Sequence, residues 1–248
     1  MPLIHIESIE GGIHGVTLCD PDSHNSLSPR MMHELVETLH ALCGRTDVRV
    51  VVLFGGQRVF SSGASLHSLV EQNAQLSFEN YWSWVDELTG FPVPVVGALE
   101  GDAVGGGLAL ALLGCDVIVA AEGRRYGLNF TELGFTPGMG MTQVLPALVG
   151  YRTAFEMLAT ARFYRGAELR DKGVFNEVVP AVQVRRRALD LARQIDSKPR
   201  HVLLMLKEAL SSGRRRGLQE AVQREYEMQV ASFSEPGTRR RIEETFHR

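Results

Sequence analysis

The segment Gly101-Asp102-Ala103-Val104-Gly105-Gly106-Gly107-Leu108-Ala109 constrains this chain most, because three consecutive glycines opening an apolar run let a ligand oxygen reach bare backbone N–H groups. Its companion is Phe60-Ser61-Ser62-Gly63-Ala64-Ser65. Each follows a strand-like apolar run, Arg49 to Phe54 in one case and Val93 to Leu99 in the other, and each leads into a helical pattern. Two such loops can aim two N–H donors at one oxygen. That arrangement is an oxyanion hole, which stabilises charge developing on a carbonyl oxygen by about 3–4 kcal/mol per donor. A glycine run alone is equally what close packing of a helix on a sheet requires, so the second loop carries the weight.

The chain alternates between strand and helix patterns. Leu3 to Glu7 and Gly15 to Cys19 read as a hairpin, and Ser28 to Cys43 as a helix capped by serine with Pro29 at its first position. Strand Val50 to Phe54, an interrupted helical pattern from Leu66 to Leu88, strand Val93 to Leu99, helix Gly106 to Leu113 and strand Val117 to Ala120 follow. Beyond Pro137-Gly138-Met139-Gly140, helices are expected over Thr142 to Val149, Tyr151 to Ala159 and Gly166 to Lys172. Gln183 to Ile195, Pro199 to Ser211 and Leu218 to Phe233 are amphipathic helices.

With 248 residues, 44% hydrophobic and 22% charged, the chain can bury one core and carry a small appendage. The division expected is a core over residues 1–195 and a helical region over 196–248. A net charge of −3 offers nothing for nucleic acid or an anionic membrane. Cys19, Cys43 and Cys115 are expected to be buried free thiols. No basic start precedes an apolar stretch, and no run approaches the roughly 18 apolar residues of a membrane span, so a cytoplasmic protein is expected. The histidines show no converging pair, so neither a metal nor a redox cofactor is expected.

The ordered set of motifs resembles the crotonase superfamily, the enoyl-CoA hydratase/isomerase relatives. Besides the two loops, the likeness rests on Gly15-Val16-Thr17-Leu18 with Asp20-Pro21-Asp22-Ser23-His24-Asn25-Ser26-Leu27-Ser28, on Cys115-Asp116 ahead of Val117 to Ala120, and on the stretch from Tyr126 to Thr142. The resemblance implies an α/β crotonase (ClpP-like) fold, a repeated ββα spiral, with late helices that build a homotrimer. It also implies that the main chain at Ala64 and Gly106 supplies the two donors.

Hydratases of this family carry one glutamate on the helix after the triple glycine and another before the Pro-Gly turn. Here Ala109 and Phe130 stand there, and Glu132 lies two residues on. Without a base for water, hydration is disfavoured. Tyr126 to Phe130 and Gly134 to Gly140 resemble one branch, the decarboxylating crotonases of polyketide β-branching. The resemblance implies a 3-methylglutaconyl thioester on the phosphopantetheine of an acyl carrier protein, losing CO₂ to give a 3-methylbutenoyl-type thioester. Loss of CO₂ leaves a dienolate whose charge reaches the thioester oxygen, which suits a site of backbone donors and no carboxylates.

The chain departs from that branch where its lysine is expected, at Leu66 or Gln72, and where a late histidine is expected, at Gln229. His67, whose imidazole can hold a carboxylate or pass a proton, is the preferred replacement, and Tyr81 is a second candidate donor. Ser68 and Gln72, at helical spacing, are neutral candidates for holding a carboxylate. Ser62, Ser65, Gly105 and Gly138 complete the expected substrate walls, and His24 would meet the phosphopantetheine phosphate. Arginine triplets at Arg214 to Arg216 and Arg239 to Arg241 are candidate docking points for an acidic carrier. The competing readings are a double-bond isomerase or hydratase, and a scaffold that binds carriers without catalysis.

Overall fold

The computed structural model describes residues 2–71 and 78–246. Its larger sheet has the order β1 (Ile4–Glu10), β2 (Ile13–Leu18), β3 (Val50–Phe54), β5 (Val95–Leu99), β7 (Val117–Ala121), β10 (Glu177–Val179). β1 and β2 form the expected antiparallel hairpin, and every later pairing is parallel. β3 and β5 are buried on both faces, which is why they read as unbroken apolar runs rather than alternating ones.

Alternate residues of these strands serve different cores. Val50, Val52, Phe54, Val96, Ala98 and Val119 pack with Val184, Ala188 and Ala192, one stripe of α7 (Ala181–Asp196). Val51, Leu53, Val95, Leu99 and Ile118 face the opposite way, into the main core. There they meet α1 (Pro29–Cys43), α3 (Phe78–Gly90) and α4 (Gly106–Gly114). Ser28 caps α1 as expected, its Oγ accepting from Met31 N at 3.1 Å with Pro29 in the first turn.

A second, smaller sheet was not legible in the sequence. β4 (Val59–Ser61), β6 (Asp102–Val104) and β8 (Arg125–Gly127) pair in parallel, and β9 (Tyr164–Arg165) closes the edge antiparallel. The spiral follows from this division: β3, β5 and β7 enter the large sheet, and the strand after each enters the small one. Helices α2 (Leu66–Glu71) and α3 follow the first pair and α4 the second.

α5 (Met141–Val149), α6 (Tyr151–Thr160), α8 (Arg200–Arg215) and α9 (Leu218–Ser234) appear where expected. α10 (Pro236–Phe246) was not foreseen, and the helix expected from Gly166 to Lys172 is only a short 3₁₀ turn over Gly166–Leu169. The thiol expectation is corrected as well: Cys115 is buried but Cys19 and Cys43 are exposed.

The arginine triplets are largely engaged within the fold. The Arg214 guanidinium donates to Leu112 O, Arg215 pairs with Asp86 at 2.6 Å, and Arg241 Nε donates to Glu132 O at 2.6 Å. Arg239 pairs with Glu243 at 3.0 Å, which leaves Arg216 and Arg240 as the exposed members with no ion pair among the described residues. No helix among the described residues is long and apolar enough to cross a membrane.

Candidate active site

Two neighbouring strands of the small sheet deliver the donor loops. Ser61 on β4 pairs with Ala103 on β6, and Ala64 and Gly106 each lie three residues beyond those positions. Convergence of the loops is therefore set by strand register. Gly63, at φ +76°, sits so close to the second loop that a Cβ would come within 2.9 Å of Gly106 N. Neither Ala64 N nor Gly106 N makes a hydrogen bond to the described residues, whereas Gly105 N donates to Gly127 O at 2.8 Å. Gly106 opens α4, so its N–H also lies at the positive end of the helix dipole.

Asn25 locks the first loop from beneath. Its side chain is buried, accepts from Asp20 N at 2.7 Å and donates to Phe60 O at 3.0 Å. Asn25 O accepts from Ser61 Oγ at 2.8 Å, and that same hydroxyl accepts from Gly63 N at 3.2 Å. The residue occupies the left-handed region at φ 52°, which asparagine tolerates.

A cavity of about 120 Å³ opens on the two loops. It brings together Ala64, Gly106, Ser68, Tyr81, Phe130, Gly138 and Gln229 of the expected residues. Leu27, Met32, Leu69, Trp84 and Phe233 supply apolar wall. No aspartate, glutamate, lysine, arginine or histidine lines it among the described residues, so its polar side chains are neutral ones. Gly138 must be glycine, since a Cβ there would collide with the Tyr81 hydroxyl and the Gln229 amide. Tyr81 Oη accepts from Met139 N, and Gln229 Nε2 donates to Thr136 O at 3.2 Å. Burial first, and the charge of Glu225 second, push the Tyr81 phenol far above its ordinary pKa. Tyr81 therefore stands as a neutral phenol.

Other expected residues lie elsewhere. Ser62 and Gly105 line an adjoining cavity of about 340 Å³ that shares Ala64, Gly106 and Phe130 with the first. Ser65 caps α2, its Oγ accepting from Ser68 N at 3.1 Å and lying 2.9 Å from the Ser68 hydroxyl. Leu66 packs against the core. His67 corrects the expectation: it is exposed and absent from the cavity walls, because the helical turn that points Ser68 inward carries its neighbour out. His24 is also exposed, and it contributes its carbonyl, which accepts from Ser62 N at 3.1 Å. Gln72 lies outside the described residues.

Of the two glutamate-replacing positions, Phe130 forms cavity wall, edge-on to Phe135 at 6.0 Å. Ala109 is fully buried in α4 and does not reach the cavity. Glu132 stands on the adjoining cavity with Arg241 at 3.7 Å.

Glu225 is a correction: among the arginines of the last third it reads, with Glu220, Glu243 and Glu244, as part of a solvated helical face, and it is buried instead. Its carboxylate is fully buried, with Oε2 accepting from Gly140 N at 2.6 Å and Oε1 from Thr142 N and Thr142 Oγ1 at 2.7 and 2.6 Å. Burial raises its pKa against these three donors. The available signal was the spacing Glu225–Gln229, which puts both side chains on one face of α9.

A family model for enoyl-CoA hydratase/isomerase matches residues 8–245. The bacillaene synthase decarboxylase PksI of Bacillus subtilis is 30% identical over 243 residues, 97% of this chain and 96% of its own length. A solved structure from a dehydratase/decarboxylase enzyme couple involved in polyketide β-branching superposes with a TM-score of 0.92 at 28% identity, covering 99% of this chain and all of the other. The 2,3-dehydroadipyl-CoA hydratase of Escherichia coli is 32% identical over 215 residues, 86% of this chain and 84% of its own.

Proposed function

The chain belongs to the enoyl-CoA hydratase/isomerase family, and from that premise we propose that it is a carboxy-lyase acting on a carrier-protein-bound 3-methylglutaconyl thioester in polyketide β-branching. One observation carries the reading: two main-chain amides with no partner among the described residues belong to the wall of a cavity that itself has no ionised side chain there, Glu132 standing on the adjoining one. Heterolysis of the C–C bond to the carboxylate releases neutral CO₂ and leaves its electron pair in a dienolate. That charge delocalises onto the thioester oxygen, where Ala64 N and Gly106 N donate. Ser68, Tyr81 and Gln229 orient the departing carboxylate by neutral hydrogen bonds, and the apolar wall, Phe130 included, favours loss of its charge. The proton that completes the 3-methylbutenoyl-type product comes from solvent water.

The substrate arrives on phosphopantetheine, and no other cofactor enters the reaction. Carrier docking falls to Arg216 and Arg240, exposed members of their clusters with no ion pair among the described residues. A homotrimer would cover Met205, Leu206 and Leu210, apolar side chains that α8 leaves exposed.

Intact-mass measurement of the acylated carrier tests the reading. The expected result is loss of CO₂; gain of water would establish a hydratase, a moved double bond at unchanged mass an isomerase, and an unaltered acyl group a scaffold. With no carboxylate, imidazole, thiol or ammonium on the described cavity wall, kcat/KM should be flat between about pH 6 and 9. An inflection in that range abolished by His67→Ala would return that histidine to the mechanism.

A further inference from the structure

Glu225 is the only glutamate or aspartate among the described residues that is fully buried, and no cation forms an ion pair with it there. A buried carboxylate costs several kcal/mol to desolvate, more than a helix cap alone warrants, since neutral side chains cap helices well. What it holds is the turn at Gly138-Met139-Gly140, in which Met139 and Gly140 both adopt left-handed φ, +56° and +71°. Two successive N–H groups of that turn have side-chain acceptors: Met139 N donates to Tyr81 Oη and Gly140 N to Glu225 Oε2. The next helical residue, Tyr226, packs on Tyr81 with ring centroids 6.5 Å apart. One turn further, Gln229 lines the cavity.

We propose that Glu225 is a positioning residue for Tyr81: by gripping Gly140 and Thr142 it fixes the turn that delivers the Met139 N–H to the phenolic oxygen, leaving the phenolic proton to face the substrate carboxylate. A phenol whose oxygen already accepts a hydrogen bond is the stronger donor, because successive hydrogen bonds polarise one another. The negative charge of Glu225 also opposes tyrosinate, which would repel that carboxylate. This inference rests on the donor role given to Tyr81 above.

A double-mutant cycle tests it. In the full chain, Tyr81→Phe is expected to slow decarboxylation about 30-fold and Glu225→Gln about 20-fold, while the double variant is only about 2–3-fold slower than Tyr81→Phe alone. Loss of melting temperature from Glu225→Gln should be the same in both backgrounds, separating stability from positioning. If Glu225→Gln does not fold, Glu225→Asp, which keeps the charge one methylene further back, should show the same coupling to Tyr81 at about 5-fold. A slow Tyr81→Phe enzyme in which the second substitution multiplies fully would overturn the role of Glu225 and leave that of Tyr81 standing. A Tyr81→Phe enzyme at full rate would overturn both.

Discussion

Replacing Gly63 by alanine is expected to reduce kcat for decarboxylation by about 10²–10³-fold, the loss typical of removing one oxyanion donor. The reason is geometric. At φ +76° an L side chain is strained, and its Cβ would lie 2.9 Å from Gly106 N and against Val104 O. The two donor loops must then move apart, or the methyl must occupy the space in front of the Gly106 amide. Gly150→Ala controls for strain alone, since Gly150 has φ +77° with nothing within 4 Å of its would-be Cβ. That variant should lose some stability and keep its rate. Equal rates for both variants in a carrier-linked mass assay would refute the placement of the donors.

Asn25→Ala is expected to cost about 2–4 kcal/mol of stability and most of the activity. It deletes the buried bonds to Asp20 N and Phe60 O, and it puts alanine at φ 52°, where asparagine is better tolerated. For a chain of this length, that is a fall in melting temperature of roughly 5–15 °C. Asn25→Gly restores conformational freedom without the hydrogen bonds, so its intermediate stability would apportion the two effects. An Asn25→Ala protein with the parent's melting temperature and turnover would show that the first loop holds itself in place.

Long periodic or unbroken apolar segments announced themselves in the sequence. β3 matches its expected span residue for residue, and α1 begins at Pro29 behind its Ser28 cap, because buried runs and caps are local signals. Strands of two or three residues are not: Val59–Ser61, Asp102–Val104 and Arg125–Gly127 are too short for a period, and only their pairing with each other makes them strands.

The same limit governs the site. The two glycine-containing loops stood out because glycine marks bare amides, and Ala64 and Gly106, the positions the resemblance implies, line one cavity. His67 was misplaced by a single helical step, since without the start of α2 its facing could not be fixed. Glu225 reads as a solvated surface glutamate because its three donors lie 83 or 85 residues away in the chain, and spacing along a sequence does not register a contact made by folding.

Because the charge-stabilising groups of the proposed mechanism belong to the polypeptide backbone and hang from the Ser61–Ala103 strand pairing, no ordinary side-chain exchange at Ala64 or Gly106 deletes their N–H groups. Mutation is free to rewrite the surrounding walls, trading carboxylates for amides or aromatics, while the electrostatic engine is inherited intact. A lineage on this scaffold can therefore change which bond it breaks faster than it can lose the capacity to break one.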